Sequence, residues 1–194
     1  MKSLILFTSL IIFGYCNGQS PGAEPIINTN FTEYVNPFIG TSKMGHVFPG
    51  ATAPFGMVQL SPQTNFEVMF EDDGSYNSKT YEYCAGYQYR DSTIIGFSHT
   101  NLSGTGHADL GDFLVMPTTG DLVLDPVHTE NGEKGFYSEF SHDQEEASPG
   151  YYKVNLNSYN IEAELTASDR VGFHQYTFPK SDDAHIILDL VYNI

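Results

Sequence analysis

The chain has 194 residues and sets 8 Lys+Arg against 24 Asp+Glu, a formal charge of −16. A surface so acidic repels a phosphate backbone and no basic stripe interrupts it, so nucleic acid is excluded as a partner. The acidity suits solubility outside the cell and a neutral or cationic ligand.

The chain opens MKSLILFTSLIIFGYCNGQS: one lysine, an apolar run from Leu4 to Tyr15, then small and polar residues. That is the layout of a secretory signal peptide over residues 1–18, cleaved after Gly18. The apolar run is well short of the ~20 residues a membrane helix needs, so no transmembrane span is expected. Cys16 offers a lipoprotein alternative, in which the acylated cysteine becomes the N-terminus, but the bulk of Tyr15 before it disfavours that processing. After cleavage 7 Lys+Arg face 24 Asp+Glu, a charge of −17, and Cys84 is the one cysteine left. No internal disulfide can then form. A lone cysteine with no base beside it reads as a small buried hydrophobe rather than a nucleophile.

Residues 19–33, rich in Pro, Asn and Thr, read as a flexible lead-in, and the folded part is expected from Tyr34 through residue 194. The mature length is enough for one domain with a sizeable core. Apolar and polar residues alternate with period two at Tyr151–Leu156, Ile161–Ala167, Val171–Phe178 and His185–Leu190, which predicts strands. Turn residues such as Ser148-Pro149-Gly150 and Pro179-Lys180-Ser181-Asp182 divide them at the spacing of an antiparallel β-sandwich. No stretch carries a helical period with caps. The polar segment Asp125–Glu146 reads as a surface excursion holding a short hairpin. The chain closes on HIILDLVYNI, which reads as a strand with no turn after it, so the sandwich is expected to be incomplete at that end and to be the N-terminal part of a longer protein.

Between Tyr81 and Pro117 the sequence YEYCAGYQYRDSTIIGFSHTNLSGTGHADLGDFLVMP crowds aromatics, hydroxyls, two histidines and glycines together with little aliphatic padding. Glycine frees the backbone for positive φ or close approach, and the short side chains supply donors and acceptors. Such a loop suits a polyhydroxylated ligand. The 13 Tyr and 14 Phe, with no Trp, suit sheet cores and sugar-stacking faces alike, and the core reading takes most of them.

Three blocks carry a resemblance: YVNPFIGTSKMGHVFPGATAPFGMVQLSPQT from Tyr34, CAGYQYRDSTIIGFSHTNLSGTGHADLGDFLVMPTTG from Cys84, and EEASPGYYKVNLNSYNIEAELTASDRVGFHQYTFPKSDDAHIILDL from Glu145. They closely resemble the N-terminal domain of glycoside hydrolase family 92, secreted calcium-dependent exo-α-mannosidases. The resemblance implies a bacterial enzyme, secreted, periplasmic or at the cell surface, with an N-terminal β-sandwich on a larger C-terminal (α/α)6 barrel and the active site at their junction. It implies hydrolysis of terminal α-mannose from glycans, of N-glycan type, with inversion. The catalytic acid, base and calcium ligands then come mainly from the barrel, which these residues do not contain, so no catalytic or metal residue is expected in this chain. The partners are a mannose-containing glycan and the C-terminal domain of the same protein, and an apolar interdomain face is expected. A non-catalytic carbohydrate-binding module is the alternative.

Inversion requires an acid and a base ~6.5–9.5 Å apart with room for water. Calcium, taking 6–8 oxygen ligands, can accept adjacent sugar hydroxyls, and the remaining hydroxyls need positioned partners. The expected sugar contacts are Tyr81, Tyr87, His99, Thr100, Ser103, Thr105, His107, Asp109 and Asp112. For Asp109 and Asp112 a turn or cap role competes. His99 and His107 lack further His or Cys at zinc-like spacing, which leaves hydrogen bonding to sugar or backbone. His46, Arg90 and Asp91 stand between site and buried structural roles. The family resemblance places a tryptophan at position 81 and a histidine at 101, where this sequence has Tyr81 and Asn101, which puts linkage specificity in doubt. Asn30-Phe31-Thr32 and Asn101-Leu102-Ser103 match glycosylation sequons, a pattern frequent by chance.

Overall fold

Alternating burial builds the best-formed part of the fold. In YYKVNL every second residue, Tyr152, Val154 and Leu156, is buried, and in IEAELTA the same holds for Ile161, Ala163 and Leu165. The register sets Tyr152 opposite Leu165, Val154 opposite Ala163 and Leu156 opposite Ile161, so the two apolar rows lie on one face. A tight turn joins the strands through Asn160 at φ 51°, a conformation asparagine tolerates well.

The computed structural model describes residues 30–67, 69–107, 110–127 and 132–192. The signal peptide, Cys16 and the lead-in up to residue 29 lie outside the described residues. Among the described residues eleven strands run β1 (Ala51–Thr52), β2 (Gln59–Gln63), β3 (Thr93–Ile94), β4 (Gly96–Ser98), β5 (Leu114–Thr119), β6 (Ser138–Glu139), β7 (Glu145–Ser148), β8 (Tyr151–Leu156), β9 (Ile161–Ala167), β10 (Gly172–Thr177) and β11 (Ala184–Asp189). All the strand pairs are antiparallel. They form a five-stranded sheet in the order β1-β2-β4-β5-β11, a four-stranded sheet β10-β9-β8-β7 and a two-stranded ribbon β3-β6. The helical turns among the described residues are short 3₁₀ segments. The all-β sandwich expected from the sequence is the fold observed.

The sheets are stacked with an offset. β8 and β9 lie on β1 and β2, while His174 and Tyr176 of β10 bring their rings to Phe97 of β4. Between them sit Leu60, Phe97, Tyr152, Val154, Leu156, Ile161 and Leu165, each at most 1% exposed. Burying each such side chain contributes on the order of 1.5–3 kcal/mol before entropy is counted. β5 and β11 carry the five-stranded sheet beyond the edge strand β10.

Two sequence readings are corrected here. The segment 125–146 is not a surface excursion throughout. Phe136 and Phe140 are buried in the core, and Ser138 in β6 pairs with Ile94. Their polar neighbours hide this in the sequence. Glu145 is buried too: its carboxylate accepts from Tyr87 Oη at 3.0 Å and Tyr152 Oη at 2.7 Å and pairs with His142 Nδ1 at 2.6 Å. The final apolar run is not one strand either. β11 stops at Asp189, whose Oδ1 accepts from the N–H groups of Val191 and Tyr192 and turns the chain. Cys84 is fully buried, its thiol donates to Tyr81 O at 3.1 Å, and burial pushes its pKa up.

Candidate functional site

The connection from β4 to β5 is closed at its base by backbone and side chain together. Gly96, at φ 152°, lets β4 approach Leu114, which a Cβ would meet at 2.7 Å. Beyond Ser98 the ladder continues: His99 N–H donates to Asp112 O at 3.1 Å and Gly111 N–H to Thr100 O at 2.8 Å. The Thr100 hydroxyl donates to Asp112 Oδ2 and accepts from the Asp112 N–H, both at 3.0 Å. Thr100 and Asp112 are therefore a clamp on the loop base.

Asn101 anchors the same base from inside. It is 1% exposed, with Nδ2 donating to Gln59 O and Ser98 Oγ and Oδ1 accepting from Gln63 Nε2 at 2.8 Å. An amide so enclosed faces neither sugar nor a glycosylating enzyme, so the second sequon is not an accessible acceptor.

His99 is spent within the protein as well. A carbonyl can only accept, so the 2.9 Å contact to Phe113 O puts the proton of neutral His99 on Nδ1. His99 Nε2 then accepts from His174 Nε2–H at 3.1 Å, and His174 Nδ1 accepts from Tyr176 Oη at 2.7 Å. Burial, and secondarily the His99 charge, lowers the His174 pKa to about 4, which fits this neutral arrangement. The relay ties the loop base to β10 of the opposite sheet. His174 was missed in the sequence, although its alternation with Tyr176 in GFHQYT already placed both rings on one face.

The tip is different. Ser103, Gly104, Gly106 and His107 are exposed and Thr105 is half-buried, with a long 3.4 Å bond from its hydroxyl to His107 O. Gly104 N–H donates to His46 O, and a Cβ on Gly106 would come 2.7 Å from Tyr81 Oη, so the tip rests on these two residues. Tyr81 is 41% exposed and stands edge-on to the His46 ring at 4.9 Å. His46 is 7% exposed, and its buried Nε2 has no hydrogen-bond partner. Beside the tip opens a groove of about 1040 Å3, lined among others by Val35, Phe48, Phe55, Gln59, Leu102 and Ser103.

Around this face the backbone departs from ordinary geometry. Lys43, His46, Phe55, Leu110 and Phe113 all have φ between 50° and 78°. Phe55 is fully exposed in that conformation, and Met57, Ile39 and Val35 are exposed nearby in sequence. Such strain concentrates where function holds it in place.

The structure thus brings Tyr81, Ser103, Thr105 and His107 to one open surface and engages His99, Thr100 and Asp112 in bonds within the loop base. Asp109 lies outside the described residues. Tyr87 is a correction: it is 1% exposed in the core, and its hydroxyl is held by Glu145, so it offers nothing to a ligand there. Arg90 pairs with Glu82 and, at 3.8 Å, with Asp91. Asp91, whose pKa burial raises, also accepts from Tyr83 Oη. No group of three or more His, Cys, Asp or Glu able to hold a metal occurs among the described residues. No helix among them is long and apolar enough to cross a membrane.

Fold and site define a class: an antiparallel β-sandwich domain that presents one polar, glycine-rich loop, bolted at its base, over an open groove. The chain belongs to glycosyl hydrolase family 92, whose N-terminal domain profile matches residues 34–194. A family GH92 α-mannosidase from Bacteroides thetaiotaomicron, solved with mannoimidazole, is 44% identical with a TM-score of 0.73 over 84% of this chain and 20% of that one. A family GH92 inverting mannosidase from Bacteroides thetaiotaomicron VPI-5482 is 27% identical, with a TM-score of 0.60 over 82% of this chain and 19% of that one. A protein of Arthroderma benhamiae described as an uncharacterized secreted glycosidase is 29% identical over 151 residues, 77% of this chain and 17% of its own length. The chain therefore spans about a fifth of the length of these relatives.

Proposed function

We propose that this chain is the substrate-facing sandwich of a secreted α-mannosidase that removes terminal α-mannose from N-glycan-type glycans with inversion. The observation that carries the reading is the β4–β5 loop: its base is fixed by Thr100–Asp112, Asn101 and the His99–His174 relay, and its tip leaves Ser103, Thr105 and His107 open beside Tyr81. A fixed base lets exposed donors and acceptors hold a sugar ring without first being ordered, and positioning of that kind governs rate steeply. Tyr81 offers the ring face on which a pyranose stacks. The acid, the base and the calcium ligands are assigned to the part of the full-length protein outside these residues. When bound there, calcium supplies a hard cation for adjacent sugar hydroxyls.

The test compares the full-length protein with residues 19–194 on an α-mannobiose. Full-length protein with calcium is expected to release mannose, with the anomer formed first of inverted configuration, and to trim high-mannose N-glycans; residues 19–194 are expected to be inactive. Turnover by the short chain alone sinks this division of roles. Sugar binding by an inactive full-length protein would assign it instead as a binding module.

A further inference from the structure

The His99–His174 contact has room for one proton between two nitrogens. The facing Nε2 atoms are 3.1 Å apart, so one donates and the other accepts. Phe113 O keeps a proton on His99 Nδ1 and Tyr176 Oη donates to His174 Nδ1, which leaves the outer nitrogens no exchange of roles. A further proton on the pair therefore has two destinations. On His99 Nε2 it sets N–H against N–H, and the contact breaks. On His174 Nδ1 it turns the Tyr176 hydroxyl into an acceptor and puts a cation in the interlayer space, where burial lowers the His174 pKa to about 4. The other titratable groups at the pair supply no compensating charge. Burial pushes the Tyr176 pKa up and keeps its hydroxyl neutral, and Asp112, whose O accepts from His99 N–H, turns its carboxylate to Thr100. The contact also differs from the other bonds of the loop base in crossing between the sheets. Thr100–Asp112 lies along the ladder from β4 toward β5, and Asn101 holds to Gln59 and Gln63 of β2 and Ser98 of β4.

We propose that the His99–His174 pair is a pH-sensitive catch on the β4–β5 loop: proton uptake parts the two rings, frees the loop from β10 while its own base stays closed, and weakens the hold of the tip on a glycan. The loop side is the one that moves, because His99 is carried by the loop and His174 is fixed in the ladder of β10 on β9. The parted pair titrates near the ordinary histidine value of about 6.5, whereas His174 in the closed contact titrates at about 4. The catch is therefore shut above about pH 6.5 and opens as pH falls toward 4. An ordered tip spares a bound sugar the cost of ordering it, and loosening the loop restores that cost. The catch rests on the geometry of the pair; its effect on glycan binding rests on this chain being the substrate-facing part of a mannosidase.

Hydrogen exchange on the wild-type full-length protein, at about pH 7 and about pH 4.5 and corrected for the intrinsic pH dependence of amide exchange, tests it. Protection of the bonded amides of His99, Gly104 and Gly111 is expected to fall ~10-fold at the lower pH while the amides of β8 and β9 keep theirs. Equal protection of the loop at both pH values overturns the catch, and so does a loss shared by β8 and β9, which is general acid unfolding. His174→Phe keeps a ring without nitrogens, so its loop is expected to show the low protection at both pH values; a pH-dependent loss like that of the wild type overturns the assignment to this pair. In a second measurement KM for an α-mannobiose is expected to rise ~3–10-fold between the same pH values in the wild type and to stay flat in His174→Phe, read as KM because the catalytic acid and base govern kcat. A wild-type KM that holds while protection falls overturns the link from loop to glycan. Exchange needs no turnover: an inactive protein whose loop loosens in acid sinks the functional reading alone, and an active one whose loop does not sinks this inference alone.

Discussion

His174 Nε2 lies 3.1 Å from His99 Nε2, and through this bond the base of the β4–β5 loop hangs on the opposite sheet. The two histidines are 75 positions apart, and the outer nitrogen of each is already committed, to Phe113 O and to Tyr176 Oη. Neither ring can rotate without breaking two bonds, so the direction of the whole relay is set by the one atom that cannot donate, the Phe113 carbonyl.

The His174 pKa gives stability a pH dependence. It falls from the ordinary 6.5 to about 4 in the folded protein, so the unfolded chain binds more protons between those values. The contribution is fully present above about pH 6.5, is lost as pH falls toward 4, and amounts to roughly 3 kcal/mol at most. Urea unfolding at stepped pH is expected to show this slope in the wild type and not in His174→Gln; an unchanged slope in the variant refutes the assignment.

Tyr81 and Tyr87 are expected to fail differently. Tyr87→Phe strips one donor from buried Glu145 and should cost about 1–3 kcal/mol of stability with KM for mannoside unchanged in the full-length enzyme. Tyr81→Ala, at a half-open position, should leave the unfolding midpoint nearly in place and reduce kcat/KM. Unfolding curves and kinetics on both variants separate the roles, and the reverse pattern would exchange them.

Phe55 sits at φ 60° with its ring in solvent. Phe55→Gly relieves the left-handed strain at the expense of chain entropy, so stability is expected to hold or rise by up to about 1 kcal/mol. Because Phe55 lines the groove, the same change is expected to lower mannoside turnover by the full-length protein. A loss of stability above ~2 kcal/mol would place the ring in a packed core instead.

Asn101→Ala removes the bonds that its side-chain amide makes with Gln63 Nε2, Gln59 O and Ser98 Oγ. The expected cost is about 1–3 kcal/mol, with faster hydrogen exchange at 102–107. Expressed through a glycosylating secretory pathway, the wild type should remain unmodified at Asn101 by mass spectrometry.

Calcium removal supplies the last check. Chelation by EGTA is expected to abolish mannosidase activity of the full-length protein while leaving the unfolding midpoint of residues 19–194 unchanged, since no metal-holding group occurs among the described residues. A lowered midpoint in the short chain would locate a calcium site within it.

Period-two alternation located β8 and β9 residue for residue and β10 and β11 within two residues at either end, because these strands bury one face and that face is written in every second position. The short strands β1, β3 and β6 left no such trace. They are two residues long and held by what lies opposite them, as Ser138 is by Ile94. The loop was legible as a loop from its glycines and hydroxyls. Which of its polar residues point inward was not, since Thr100, Asn101 and Ser103 are alike in composition and differ only in their partners across the sheet. Glu145 was illegible for the same reason: a charged residue reads as surface until Tyr152 and the distant Tyr87 are seen to reach it.

Glu145 also bears on the order in which the chain assembles. Tyr87 is 58 positions upstream, while Tyr152 and His142 are within seven. The β7–β8 hairpin can bring the near donors to the carboxylate early, but full desolvation waits until the segment around Tyr87 docks. The Tyr87 contact therefore closes a loop of 58 residues where the other two close seven or fewer, so the buried carboxylate ties the segment before β3 to the β7–β8 hairpin at the larger entropic cost.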